Sequence, residues 1–381
     1  MSLLCRCVPA LPIAKTERYN SDFIVFLQKV NMPTLIPQQL EDFAVSLLAA
    51  GGAHEEEAAL VGRSLVHANL RGYDSHGVMR IPYYVDMVQK GDIVPGAELE
   101  FLKESPTNLV ANAHWGFGRV QAGAVLDRLI AKADQAGIGV GTIHHCSHIG
   151  RLGEYAEIAA SRNLLSMVMV NTHGAARRVA PPGGVVARLG TNPIALGAPH
   201  ADTPLILDFS TSATAEGKVR VKSIAGEPCQ EGWLIDSEGN PTTVASSLYG
   251  DPPGTILPFG GPQAYKAFGL ALMIDVFSGA LSGGLCARET PLTPNGNCVF
   301  MMVLSREHFG GGEHFARETA QLVDFVRGCP TKKGVDGIVM PGDPERHSAA
   351  RRSQEGITLD HENWLKLTNL AERLRVTPPN A

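Results

Sequence analysis

The chain has no surplus of positive charge: 33 Lys and Arg stand against 38 Asp and Glu, a formal net charge of −5. A nucleic-acid partner is therefore not expected, because nothing supplies the basic stripe that tracks phosphates. No run approaches the ~18 consecutive apolar residues of a membrane span. The seven cysteines are odd in number and scattered, with only Cys5 and Cys7 close together and no CxxC pair. That excludes a zinc ribbon or a disulfide framework and suits reduced thiols in a cytoplasmic protein. A dinucleotide-binding glycine fingerprint is also missing. Gly137-Ile138-Gly139-Val140-Gly141 lacks the third glycine at the required offset, and Gly116-Phe117-Gly118 follows no clear strand. Any nicotinamide cofactor must be held by another architecture.

Present instead is enough chain for two domains: 381 residues, 44% of them hydrophobic. Residues 1–36 differ from the rest. Their apolar stretches are broken by Arg6, Cys7, Pro9 and Pro12, too short for a secretory segment. They read as a variable appendage, with a faint transit-peptide character and Met32 as an alternative start. From Pro37 the apolar positions Leu40, Phe43, Ala44, Leu47 and Leu48 recur at helix spacing. A second helix opens on Glu55–Glu57 and ends near Gly72. Further on, Ile138–Ile143 reads as a strand, Gly150–Ser161 as a helix and Leu164–Val170 as a strand. That β-α-β alternation predicts parallel pairing. Leu205–Leu207, Cys298–Leu304, Tyr265–Leu281 and Glu313–Val326 continue the alternation as two strands and two helices.

Two segments carry chemistry. The first is Asp74-Ser75-His76-Gly77-Val78-Met79-Arg80, closing on Tyr83-Tyr84. Imidazole exchanges a proton near neutral pH, and guanidinium grips a carboxylate through two parallel hydrogen bonds. If the segment is helical, His76, Arg80 and Tyr84 share a face. The bland alternative is a helix cap at Asp74 or Ser75, with Arg80 paired to a surface acid. The second segment is His144-His145-Cys146-Ser147-His148, ahead of Ile149-Gly150-Arg151. No nearby acid completes a metal-ligand set, so no metal is assigned, although a histidine-metal hydrolase stays a rival. His148 and Gly150 lie between a strand end and a helix start, where ligands of open α/β sheets bind and where unpaired N–H groups meet anions. Asp208 ends an apolar strand and can accept ribose hydroxyls, or cap a helix. Lys266, beside a long loop rich in glycine and proline, is a candidate anion ligand.

Together these pieces resemble the malate/L-lactate dehydrogenase family of NAD(P)-dependent oxidoreductases. The matching runs are Asp74–Gly77, Ser147–Arg151, Gly190-Thr191-Asn192-Pro193, Leu207–Ser212, Gly217-Lys218, Lys266–Leu270, Leu281–Gly284 and Pro341-Gly342-Asp343, in family order. The run Ser147–Glu157, with Ala280–Gly284, looks most like the hydroxycarboxylate dehydrogenase B branch. The resemblance implies an α/β, two-domain, mixed-sheet, non-Rossmann dehydrogenase fold with an inserted cofactor domain. Residues 37–137 and 313–381 then form a substrate and dimerisation domain, and 138–312 the inserted NAD(P)-binding domain. It further implies a homodimer, NAD or NADP as cofactor, and hydride transfer to or from a small 2-hydroxy or 2-oxo acid. His148 or His76 would be the acid/base, with Ser75, Arg80 and Tyr84 as substrate contacts. Cofactor contacts would be His76, Gly150, Arg151, Leu152, Ile206, Leu207, Asp208, Phe209, Ser210, Phe259, Lys266, Asn297, Gly342, Asp343, Pro344 and Glu345. Two positions depart from the family pattern. Lys266-Ala267-Phe268-Gly269 carries alanine where glycine is usual, and Asp343-Pro344 replaces a commoner Gly-Glu. Imine reduction on a cyclic 2-carboxylate and a catalytically inactive ligand-binding relative are the alternatives within the family.

Overall fold

The computed structural model describes residues 32–201, 203–290 and 292–380. Most of the appendage, including Cys5 and Cys7, lies outside these residues. Two cores organise the chain. The first is helical. Helix α1 (Pro37–Ala50) starts on proline and buries the five apolar positions expected of it. Helix α2 (Glu55–Leu70) opens with three acids, which suit the positive end of its dipole. The two cross closely at Gly62, where a Cβ would come within 2.7 Å of Val45. Helices α3 (Ile81–Lys90) and α10 (His361–Leu374) complete a core that includes Leu47, Tyr84 and Leu367. Strand β1 (Thr34–Leu35) pairs with β12 (Ile357–Thr358), so distant parts of the chain close this unit.

The second core is a seven-stranded mixed sheet. It comprises β2 (Glu100–Glu104), β3 (Asn108–Asn112), β4 (Ile138–Cys146), β5 (Leu164–Asn171), β6 (Pro193–Ala198), β7 (Leu205–Ser210) and β11 (Asn297–Ser305). Their order is β2-β3-β4-β11-β5-β6-β7. The parallel β4–β5 pairing predicted from sequence does not form. Strand β11 lies between them, antiparallel to both. Its first five residues are all buried, as a central strand requires. Among the described strands of this sheet only β3 and β4 pair in parallel. Strands β2 and β3 precede residue 138, so the sheet reaches beyond 138–312.

Helices α4 (Gly118–Ala136) and α5 (Gly153–Ser161) cover one face around Leu129, Ile143, Val168 and Met301. The glycines between α4 and β4 are packing devices. Gly137 caps α4 at φ +83°, and a Cβ on Gly139 would sit 2.2 Å from the Leu129 carbonyl oxygen. On the other face lies α7 (Ala264–Asp275), which passes into a π-helical turn at Val276–Ala280 instead of the single helix expected to Leu281. Helix α6 (Glu216–Ala225) packs near a three-stranded sheet of β8 (Leu234–Ile235), β9 (Pro241–Thr242) and β10 (Thr255–Ile256), around Val179, Val219 and Leu234. Helices α8 (Gly312–Arg327) and α9 (Asp343–Glu355) follow the sheet. No described helix is long and apolar enough to cross a membrane.

Candidate active site

The Ser75–Arg80 segment is not one helical face. It forms two 3₁₀ turns, Asp74–His76 and Val78–Arg80, before α3. Neither Asp74 nor Ser75 caps a helix. Asp74 pairs with Arg352 at 2.7 Å and accepts from the Asn69 side chain at 2.7 Å. Asn69 also accepts the Val78 N–H at 2.9 Å, which pins the turn to α2. A Cβ on Gly77 would strike that amide, so glycine is required there. The Arg80 Nε donates to the Ser75 carbonyl at 2.7 Å. Among the described residues no acid pairs with its guanidinium.

His148 arrives from the other core. Strand β4 ends at Cys146, and Ser147 fixes the turn by donating to the Gly116 carbonyl (2.8 Å) and accepting the Gly118 N–H (2.7 Å). The His148 ring then stacks on His76, centroids 5.6 Å apart at 24°. Its Nδ1 lies 2.7 Å from the Tyr84 hydroxyl, and the Ser75 hydroxyl is 3.0 Å from His76 Nδ1. The structure thus brings together all five residues singled out as catalytic or substrate-binding. Burial, then the Arg80 and Arg119 cations, push His76 down to about 3. Burial and Arg80 hold His148 well below its ordinary value.

Arg119 was not legible in the sequence, because it sits within α4 as an apparent surface residue. It is buried, donates to the His76 carbonyl at 2.7 Å and lies 3.5 Å from Glu154. Gly150, at φ +83°, packs against its guanidinium, where a Cβ would clash. The helix expected from Gly150 begins at Gly153, and the Gly153 N–H is already given to Asp208 Oδ2 at 2.7 Å.

Asp208 belongs to a second cluster. Burial raises its carboxyl from 3.8 to about 6, against the pull of the Gly153 N–H and Arg151. Arg151 pairs with Glu157 at 2.9 Å and lies over the Tyr73 ring, while its Nη1 is buried without a partner. Tyr73, also missed by the sequence reading, donates to Glu345 at 3.0 Å. Gly342, at φ +91°, turns the chain against Ile206 into α9, whose first turn holds Asp343 and Pro344. Asp343 is engaged by Arg346 and by the Met340 N–H. Phe209 meets Phe259 edge to face at 5.6 Å, and Ser210 bonds Ser212. Asn297 ties Ile149 to Asn171 through both ends of its amide. Leu152 is buried in the sheet core. Leu207 is exposed on the opposite sheet face, and Lys266 is exposed over Tyr265. Neither of these two joins the clusters.

Ser75, Arg80, His148, Thr172, Arg178 and Asn297 line a cavity of about 730 Å³. Its size suits a small acid together with part of a larger group. The other histidines of the second segment do not line it. His144 Nδ1 bonds the Ser282 carbonyl (2.7 Å), and His145 packs on Trp115 and His173. Among the described residues no group of three or more His, Cys, Asp or Glu is arranged to hold a metal ion.

The malate/L-lactate dehydrogenase family model matches residues 36–368. A malate dehydrogenase of Pyrococcus abyssi is 33% identical over 345 residues, 89% of this chain and 94% of the relative. Hydroxycarboxylate dehydrogenase B of Escherichia coli O157:H7 is 34% identical over 342 residues, 88% and 93% of the two chains. The structure of a putative malate/lactate dehydrogenase from E. coli superposes with a TM-score of 0.85 at 32% identity, covering 91% of this chain and 96% of that one. With the mixed sheet and the paired histidines, these matches show that the chain belongs to the malate/L-lactate dehydrogenase family of hydroxy acid oxidoreductases.

Proposed function

We propose that this chain is an NAD(P)-dependent dehydrogenase of small 2-hydroxy acids, with His148 as acid/base and Arg80 as carboxylate clamp. The observation that carries the assignment is that His148 lines the cavity beside Arg80 while Tyr84 holds its Nδ1. If Nδ1–H is donated to the Tyr84 oxygen, Nε2 is the nitrogen left to exchange a proton with the substrate hydroxyl. In oxidation neutral His148 removes that proton, and a bound nicotinamide would take the hydride. In reduction the imidazolium returns it. Arg80 is among the causes that keep His148 neutral. A substrate carboxylate at Arg80 offsets that charge and raises the proton affinity of His148, so the acid is loaded when an oxo acid binds.

The Asp208–Arg151–Gly153 cradle fits a dinucleotide. A Cβ on Gly153 would fill it, 2.4 Å from Arg151 Nη1, and that nitrogen lacks a partner. Asp208 would accept ribose hydroxyls, Arg151 would meet phosphate, and Tyr73, Gly342 and Glu345 would border them. A carboxylate at this place favours NAD over NADP. A screen of 2-oxo acids with each reduced cofactor tests the reading. Turnover that collapses in His148→Ala supports it, and full activity in that variant rejects it.

A homodimer is part of the proposal. The sheet face opposite α5 leaves Leu165, Met167, Leu196, Leu207, Met302 and Leu304 around an open hollow. Leu272 and Met273 of α7 are also exposed. Helix α8 buries only Val323 and leaves Leu322 and Phe325 in solvent. Apolar surface of this continuity is rare on monomers, and a two-fold axis would cover it with a second copy. Analytical ultracentrifugation of Leu207→Asp against the unaltered protein tests this: the dimer should dissociate in the variant.

A further inference from the structure

One buried cation has no part in the proton step or in the cofactor cradle. Arg119 is 3% exposed and does not line the cavity. Its backbone is tied to the residue before His148, because the Gly118 N–H donates to Ser147 Oγ at 2.7 Å. A Cβ on Gly118 would strike the Ser147 carbonyl, so α4 starts directly against that turn.

The guanidinium works through its edge and its face. Along the edge, Nη2 donates to the His76 carbonyl at 2.7 Å. Nη1 donates to the Ser64 hydroxyl and lies 3.5 Å from Glu154. Ser64 donates in turn to Glu154 at 2.5 Å, so α2, α5 and the His76 turn meet at one planar group. The face bears on Gly150. A Cβ there would meet Cζ first and both Nη atoms almost equally, which places the glycine above the plane. Gly150 is two residues past His148, whose ring stacks on His76 with centroids 5.6 Å apart. One rigid group thus touches both segments that carry the stacked rings.

Stability is a poor reason for such a residue. Its Nε is buried without a partner, and Glu154 is the one acid pairing with its charge among the described residues. A buried ion pair often adds nothing over apolar packing of the same volume, and an unpaired buried donor is a cost. The His76 turn is also anchored from its other side, by the Asp74–Arg352 pair and by the bond from the Val78 N–H to Asn69. What Arg119 adds is alignment.

We infer that Arg119 is a positioning residue, whose planar guanidinium sets the spacing between the His76 turn and the Gly150 turn and so aligns the two stacked rings. This rests on the dehydrogenase reading, with His148 exchanging the proton. Arg119 itself exchanges no proton and meets no substrate. Shape carries the role more than charge. Lysine would keep the charge that helps to lower the proton affinity of both rings, but it offers no plane to bear on Gly150.

The experiment compares wild type with Arg119→Met and Arg119→Lys, using the 2-oxo acid that wild type reduces fastest. Arg119→Met should lower the single-turnover rate about 10- to 100-fold, as misaligned reacting groups do, and leave KM for the oxo acid within about threefold. Arg119→Lys should recover less than about threefold of that loss. In the free protein the chemical shift of the His148 ring proton, assigned from His148→Gln, should leave its stacked value in both variants. Melting temperatures should stay within about 5 °C of wild type. A rate unchanged in Arg119→Met, full recovery in Arg119→Lys or an unmoved ring shift overturns the inference and leaves the dehydrogenase reading intact. A larger fall in melting temperature in both variants makes Arg119 a structural residue and likewise overturns it. Absence of turnover on any oxo acid overturns the dehydrogenase reading, and the ring shift then still decides the alignment.

Discussion

Two groups of histidines lie close together in this molecule, and they differ in what holds them neutral. His76 and His148 stack beside the cavity, where burial and then guanidinium groups lower their proton affinity. His145 and His173 pack with His144 and Trp115 at the C-terminal end of β4. Burial and then neighbouring imidazoles lower the pKa of His145 and of His173, the latter to about 4 with Arg288 contributing last. Each ring in this second group has an Nδ1 partner: the Ser282 carbonyl for His144, the Asn112 amide oxygen for His145 and the Cys298 thiol for His173. An anionic substrate can neutralise Arg80, which lines the cavity and comes directly after burial among the causes at His148. By contrast, His145 owes its fall to burial and other imidazoles, and Arg288 comes last among the causes at His173. A depressed pKa therefore marks a working site only when a ligand can reverse its cause.

The largest expected difference between the groups is in turnover. His148→Gln should lower kcat by about 10²- to 10⁴-fold, the usual worth of a positioned acid/base. His145→Gln should stay within about threefold, as substitutions outside a reacting centre do. Steady-state rates with one oxo acid decide both. Next comes Arg80→Gln, which should raise KM for oxo acids about 100-fold, because a carboxylate would enter without its charged partner. The same change removes a cation that depresses His148, so in hydroxy acid oxidation, where the neutral ring is the base, the acid limb of the pH–rate profile should move to higher pH. The corresponding loss of a neighbour in the second group, His144→Gln, should leave that profile unmoved. Tyr84→Phe should lower kcat about tenfold with little change in KM, since only the hydrogen bond that sets the ring is lost.

The smallest effect is on stability. The Asp208 carboxyl is raised in the folded state from 3.8 to about 6. The folded protein holds this proton more tightly than the unfolded chain. The resulting stability is full below about pH 4 and is lost as pH rises through 6. Asp208→Asn mimics the protonated form. It should match the wild-type melting temperature near pH 4 and exceed it by about 2–4 °C at pH 7, while cofactor affinity falls.

Much of the site was legible from short-range chemistry. Ser75, His76, Arg80 and Tyr84 lie within ten residues, so any compact local structure keeps them near one another. His148 follows the end of β4 and precedes α5, and a strand end followed by Gly150 is a local pattern. Arg119 and Tyr73 were not legible, since each makes its contacts with distant elements. Arg119, for example, meets the His76 carbonyl from inside an amphipathic helix. The same limit explains the sheet. Strands β4 and β5 were both recognised, but β11 enters between them from about 130 residues later, and no local pattern encodes that insertion. Lys266 stands apart from both clusters, its side chain lying over Tyr265 in solvent.

The account turns on a neutral His148 that gains its proton when a carboxylate reaches Arg80. Nitrogen-15 NMR of the labelled imidazoles reads this directly, with the His148 resonance assigned from His148→Gln. At pH 6 the ring should be neutral in the free protein and should become protonated when oxamate, a 2-oxo acid mimic, binds together with the reduced cofactor. In Arg80→Gln that response should vanish. A His148 that titrates near 6.5 in the free protein and ignores oxamate would contradict the account.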